Sequence, residues 1–302
     1  MTLQAPELTR LETGAAVAVS GLVKRYGTLT AVAGIDFAVR EGEIFGLIGP
    51  DGAGKTTTFH ILAGVLEPTA GDVAVLGLPP RDARLGIGYL TQQFSLYLDL
   101  SIDENLRYAA GLRQVEESAF QSRRDRYLKL MGLERFGDRL AGQLSGGMKQ
   151  KLALSAALIA QPRVLLLDEP TTGVDPVSRR EFWDVLTELA SEEAVTIVVA
   201  TPYLDEAERC NRVALLYEGQ IQELGTPAEL RRALGLTRLE VRVDAPLAEA
   251  EEHLVAWRGN GIADVQTFGD RLDVLVTDPL AGEQEIRTAL GPAAPHIEVA
   301  EP

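Results

Sequence analysis

A chain of 302 residues with 46% apolar and 24% charged positions has an ordinary globular composition, sized for one large domain with a modest appendage. Lys and Arg number 29 against 44 Asp and Glu, so the net charge is −15, which argues against a nucleic-acid partner but leaves room for a local site for a small phosphate ligand. The single cysteine, Cys210, excludes an internal disulfide and points to a reducing compartment. The opening MTLQAPELTR shows no secretory signal, and no apolar run reaches the roughly eighteen residues of a membrane span, so any membrane role runs through a partner.

Residues 1–14 read as a loose polar leader. Ala15–Tyr26 and residues 34–40 alternate apolar and polar positions, as antiparallel strands do. Residues 43–48 form a short apolar run without alternation, the pattern of a strand buried on both faces, and a glycine-rich turn and a helix over 55–65 follow. Residues 101–140 read as helical throughout, a helical insertion. Residues 164–167 and 195–200 are further buried strands, so the core is a parallel α/β sheet with an antiparallel β subdomain. Pro227–Leu234 closes this main domain, placed at 15–235. Past it the order strand, helix, strand, strand, helix, strand predicts a small ferredoxin-like α+β domain over 236–302, an assignment that carries no function by itself.

The glycine-rich turn Gly49-Pro50-Asp51-Gly52-Ala53-Gly54-Lys55-Thr56 fits the P-loop pattern, and it follows a buried strand and opens a helix as that pattern demands. Glycines let main-chain N–H groups approach phosphate oxygens, and the helix N-terminus adds its unpaired donors and positive dipole end. Lys55 supplies a point charge for the β- and γ-phosphates; the Thr56 hydroxyl is a Mg²⁺ ligand, and Thr57 completes the nucleotide-binding set. A second apolar strand ends in Asp168-Glu169. There Asp168 is the candidate for holding Mg²⁺, and Glu169 for orienting or deprotonating a water.

Between these two motifs, Leu144-Ser145-Gly146-Gly147-Met148-Lys149-Gln150 resembles the signature sequence of ATP-binding cassette (ABC) ATPases, and all three motifs stand in that family's order. The resemblance covers about residues 17–232. It implies an ABC cassette fold and head-to-tail dimers of ATP-binding domains. In these, Leu144, Ser145, Gly146 and Gly147 would face a nucleotide held on the partner's P-loop. It implies adenine stacking for Tyr26. Gln92 takes a Q-loop role in catalysis and Mg²⁺ sensing, with Gln93 as the shifted alternative, and Asp175 takes a D-loop contact with the opposite subunit. One position departs from the family. The histidine expected after the strand at 195–200 is replaced by Pro202, and His60, His253 and His296 lie elsewhere in the sequence. Proline offers no N–H and no polar side chain, and losing one preorganised transition-state donor costs about 3 kcal/mol.

The resemblance therefore implies an ATP-binding and hydrolysing subunit of an ABC transporter. It would be an exporter, judged by the run Gln92–Ser101 and by Asp103-Glu104-Asn105-Leu106. ATP and Mg²⁺ are the implied cofactors and a separately encoded membrane permease the implied partner. The location would be cytoplasmic, on the inner face of the membrane. Pairing with a different ATP-binding chain is favoured over a slow homodimer, because the intact signature would serve the other subunit's nucleotide. A weakly catalytic regulatory module and a soluble non-transport ABC ATPase are the alternatives. Arg123-Arg124 and Arg179-Arg180 read as solvated helix faces, Trp183 and Trp257 as packing residues, and Cys210 as inert.

Overall fold

The computed structural model describes residues 14–93, 95–259, 261–291 and 295–300. The expected leader therefore lies outside the described residues apart from Gly14. Two compact units divide between Pro227 and Ala228, about one helix earlier than the boundary read from the sequence.

The first unit begins with a hairpin, β1 (Ala15–Tyr26) and β2 (Leu29–Arg40). The second strand starts earlier than the alternation at 34–40 indicates, because Gly27 takes a φ of 58° and closes a tight turn that pairs Tyr26 with Leu29. Next come β3 (Ile44–Ile48), α1 (Lys55–Leu62), β4 (Ala70–Val75) and β5 (Ile87–Leu90). The helix stops short of residue 65 because Gly64 turns the chain at φ 69°, where a Cβ would strike the main chain of Arg81 at 2.8 Å.

The insertion is not one continuous helical stretch. It contains α2 (Ile102–Leu112), α3 (Glu117–Leu130) and a single helical turn at Glu134–Phe136, and a further turn follows at Ala141–Gln143. A reciprocal cap fixes the start of α2: the Glu104 amide donates to Ser101 Oγ and the Ser101 amide to Glu104 Oε2. The arginines read as solvated here are engaged. Arg124 grips Asp103 through two nitrogens, and Arg123 donates to the Ile159 carbonyl at 3.0 Å.

The unit continues with α4 (Gly146–Leu158), β6 (Val164–Asp168), α5 (Pro176–Glu193), β7 (Thr196–Thr201), α6 (Leu204–Ala207), β8 (Arg212–Tyr217) and β9 (Gln220–Gly225). Strands β2, β1 and β4 form an antiparallel sheet in that order. The larger sheet runs β5-β6-β7-β3-β8-β9, parallel except for the last pair. Its central strands β3, β6 and β7 are buried along their whole length, which explains their unbroken apolar runs. Phe37 of the small sheet stacks on Phe45 of the large one, with centroids 5.4 Å apart, inside one shared core. Trp183 is buried in α5. Cys210 presses its sulfur against the space over Gly46, and burial pushes its thiol pKa up to about 12.

The second unit begins within α7 (Pro227–Leu234) and continues as β10 (Thr237–Arg242), α8 (Leu247–Ala256), β11 (Ile262–Phe268), β12 (Arg271–Val276), α9 (Pro279–Leu290) and β13 (His296–Ala300). The sheet order β11-β12-β10-β13 is antiparallel throughout. Leu239, Val241, Leu254, Val274 and Ile286 build its core, with Trp257 packed against them. Arg238, Glu240, Arg271 and Asp273 interlock by ion pairs on neighbouring strands.

Candidate functional site

Three parallel strands deliver the polar groups to one edge of the large sheet. Ile48 lies opposite Thr201, and Asp168 opposite Ala200, so the chain leaves β3, β6 and β7 at one level. Such a crevice at the carboxyl ends of parallel strands is where α/β folds bind ligands.

The P-loop leaves β3 at Gly49, whose amide donates to the Thr201 carbonyl. Two of its glycines are forced. A Cβ on Gly49 would strike the Leu216 carbonyl oxygen at 2.1 Å; one on Gly54, at φ 106°, would strike that of Ala31 at 2.4 Å. Gly54 caps α1 without any side-chain partner, which leaves the donors of the first turn facing the loop. Pro50, Asp51 and Gly52 are exposed at the loop's crest, Ala53 is buried beneath it, and Thr57 is half-buried in the first turn of α1.

Lys55 is only 3% exposed, and its ammonium donates to the carbonyls of Gly49 and Pro50. The same ammonium lies 3.4 Å from Glu169 Oε1 and 3.9 Å from Asp51 Oδ1. The Thr56 hydroxyl donates to Asp168 Oδ1 at 3.2 Å. Burial holds the Asp168 carboxyl above its ordinary pKa; the Thr56 hydrogen bond opposes that, the Glu169 charge adds to it, and His60 and Lys55 pull the other way.

Glu169 is buried and takes a left-handed backbone at φ 49°, unusual for a non-glycine residue, with its amide donating to the Ala200 carbonyl. Its Oε2 accepts from Gln92 Nε2 at 3.0 Å and from the Thr172 hydroxyl at 3.3 Å. Gln92 thus meets Glu169 directly, although Gln92 and Gln93 are both exposed. Thr172 is a site residue the sequence reading missed; its position three residues past Glu169 in the same turn was the available signal.

The remaining candidates lie at separate places on this unit. Tyr26 is 46% exposed at the end of β1, with Lys24 Nζ 5.4 Å from its ring, so it is not a core residue. Ser145 caps α4 by accepting from the Met148 amide, with Leu144 and Gly147 buried and Gly146 exposed. Asp175 caps α5, accepting from the Val177 and Ser178 amides, and these bonds hold its carboxyl below the ordinary range.

Pro202 directly follows β7, level with Gly49. Its neighbours are committed elsewhere: Thr201 Oγ1 accepts from the Tyr203 amide, and the Tyr203 ring lies 4.6 Å beneath the Arg179 guanidinium. Arg179 is therefore not a solvated helix face. It also lies 3.6 Å from Asp205 and 3.9 Å from the buried Glu206, which accepts from the Thr171 hydroxyl.

The donor set of Thr56 and Asp168 consists of hard oxygens beside an anion cradle. That fits Mg²⁺, which takes one or two protein oxygens and completes its shell with phosphate oxygens and water. Among the described residues no cluster of three or more His, Cys, Asp or Glu could hold a metal unaided. Beside the site, a groove of about 290 Å³ runs between β5 and α2, walled in part by Leu90, Leu96, Tyr97, Tyr108 and Leu112.

Residues 32–172 match the ABC transporter family model. The chain is 46% identical over 226 residues to the probable multidrug ABC transporter ATP-binding protein YbhF of Escherichia coli, a match that covers 73% of this chain and 39% of that protein. This chain thus matches about two-fifths of the length of YbhF. It is 36% identical over 294 residues to the daunorubicin/doxorubicin resistance ATP-binding protein DrrA of Streptomyces peucetius, covering 94% of this chain and 87% of that one. Among solved structures it is similar to the dimeric MJ0796, a bacterial ABC transporter cassette, with a TM-score of 0.64 and 27% identity over 70% of this chain and 98% of that one.

Proposed function

The chain belongs to the ABC transporter family, and from that premise we propose that it is the ATP-binding and ATP-hydrolysing subunit of an exporter, driving a separately encoded membrane permease. The observation that carries this reading is the meeting of Lys55, Thr56, Gln92, Asp168 and Glu169 at the mouth of one glycine loop. Export is supported by the multidrug and drug-resistance roles named for YbhF and DrrA.

In this reading the loop amides and the N-terminal turn of α1 cradle the phosphates, and Lys55 exchanges its carbonyl partners for a γ-phosphate oxygen. Thr56 and Asp168 would hold Mg²⁺, which would supply positive charge to offset that of the phosphates. Glu169, steadied by Gln92 and Thr172, orients the attacking water and accepts its proton. Tyr26 offers its exposed ring to adenine.

A second cassette presses Leu144, Ser145, Gly146 and Gly147 onto this nucleotide, and Asp175 belongs to the same face. The dimer of MJ0796 supports such pairing. Pro202 favours a different cassette as partner, because this chain's own site lacks the donor that a histidine at 202 would bring, whereas its signature is intact. Closure of the pair passes through the helical insertion to the permease. The groove beside Gln92 is the surface that suits a docked helix, being apolar along Leu90, Leu96 and Leu112. No helix among the described residues is long and apolar enough to cross a membrane. In this reading the chain sits on the inner face of the cell membrane through the permease.

The test separates binding from chemistry. Lys55→Ala removes measurable affinity for Mg·ATP in the purified chain. Glu169→Gln keeps that affinity while ATP turnover falls at least about a hundredfold. Turnover that survives in Glu169→Gln would overturn the assignment.

A further inference from the structure

Beside the two carboxylates lies a buried polar group that the scheme above leaves unused, the hydroxyl of Tyr89. Tyr89 sits in β5 opposite Leu166, two residues ahead of Asp168 on the adjoining strand. Its ring meets the His60 ring of α1 edge-on, with centroids 6.2 Å apart, so it is gripped between the sheet and the P-loop helix. The hydroxyl is sealed from water and completes no hydrogen bond. A buried donor of this kind is costly to the fold, and phenylalanine would remove that cost with the same ring. Its polar neighbour is Asp168. A phenol O–H that faces a carboxylate can only donate to it.

We propose that Tyr89 is a positioning residue for Asp168, its hydroxyl donating to the carboxylate when Mg·ATP is bound. Asp168 now has one side-chain donor, Thr56, on Oδ1. One donor leaves a carboxylate free to rotate. A second, on the other side, fixes its plane and turns the remaining lone pairs toward the cation's water shell. The inference rests on the reading of Thr56 and Asp168 as the residues that serve magnesium. It accounts for a hydroxyl kept at a position where the fold alone would prefer a phenyl ring.

The experiment titrates Mg²⁺ into the purified chain with a fluorescent ATP analogue, alongside analogue affinity in EDTA and the melting temperature of the nucleotide-free protein. In Tyr89→Phe the apparent Mg²⁺ affinity falls about tenfold, the loss expected for one hydrogen bond to a charged acceptor. Affinity in EDTA stays as in the wild type, and the melting temperature holds or rises. Tyr89→Met, which removes the hydroxyl with a different shape, shows the same magnesium loss. A packing role would instead spare Phe and penalise Met. Mg²⁺ affinity of the Phe variant within about twofold of the wild type overturns the inference while leaving the magnesium reading intact. Wild-type binding that is indifferent to Mg²⁺ overturns both.

Discussion

At the residue scale the decisive position is Pro202. Parallel pairing of β3 with β7 sets Thr201 opposite Ile48, so residue 202 leaves the sheet beside the first glycine of the loop. In the proposed reading a side chain there would reach toward the γ-phosphate, yet proline brings no donor. Thr201 and Tyr203 do not replace it, since the hydroxyl of the first accepts from the amide of the second and the ring of the second is covered by Arg179. The expected outcome for Pro202→His is a rise in ATP turnover on the order of a hundredfold, measured on the assembled cassette pair, because one preorganised donor is worth roughly that much. No rise would mean that another group already fills the role. The contrast with Arg179 shows what a one-dimensional reading reaches. Motif positions such as Lys55, Thr56 and Glu169 were legible because their chemistry dictates a local spacing. The partners of Arg179 and Tyr89 were not, because Tyr203, Glu206, His60 and Asp168 come from other elements that only the sheet brings near.

At the scale of elements, the unbroken apolar strands and the four strands of the second unit were legible, whereas β4, β5, β8 and β9 were not. β3, β6 and β7 announce themselves as apolar runs, and β1 keeps the bounds that its alternation marks. β4 and β9 are exposed at half or more of their positions, and their strand character comes from pairing with β1 and β8 rather than from their own pattern.

Helix α4 gives the sharpest test at this scale, because its two opening glycines meet different surroundings. A Cβ on Gly147 would lie 2.7 Å from Ser178 Oγ and 2.9 Å from Ser178 Cβ of α5, whereas one on Gly146 would find only the Gly173 carbonyl at 4.0 Å. Gly147→Ala therefore forces the two helices apart and costs about 1–2 kcal/mol after its gain in helix propensity. Gly146→Ala leaves the denaturation midpoint unchanged or slightly higher. Chemical denaturation of the two variants side by side distinguishes them. Equal stabilities would show that Ser178 yields freely.

At the scale of the whole molecule, the proposed reading gives each chain both halves of a nucleotide sandwich, at different places on it. The P-loop, Asp168 and Glu169 gather at one edge of the large sheet, while Ser145 heads α4 and is exposed. A head-to-tail pair of such chains holds two composite sites, each built from one chain's loop and the other's α4 terminus. This makes the partner testable by mixing two inactive variants. Lys55→Ala spoils the loop, and Ser145→Arg spoils the opposing terminus. If the chain pairs with itself, a mixed dimer has one site with both defects and one with none. A one-to-one mixture then recovers about a quarter of the wild-type turnover, since half of the dimers are mixed and each has one working site of two. If the chain pairs with a different cassette, as Pro202 favours, mixing restores nothing. The same variants then each impair the complex only when that second chain is present, Lys55→Ala through this chain's own nucleotide and Ser145→Arg through its partner's. We expect the second outcome. Recovery near a quarter would instead make the molecule a homodimer whose turnover rests on Glu169 and the metal without the missing donor.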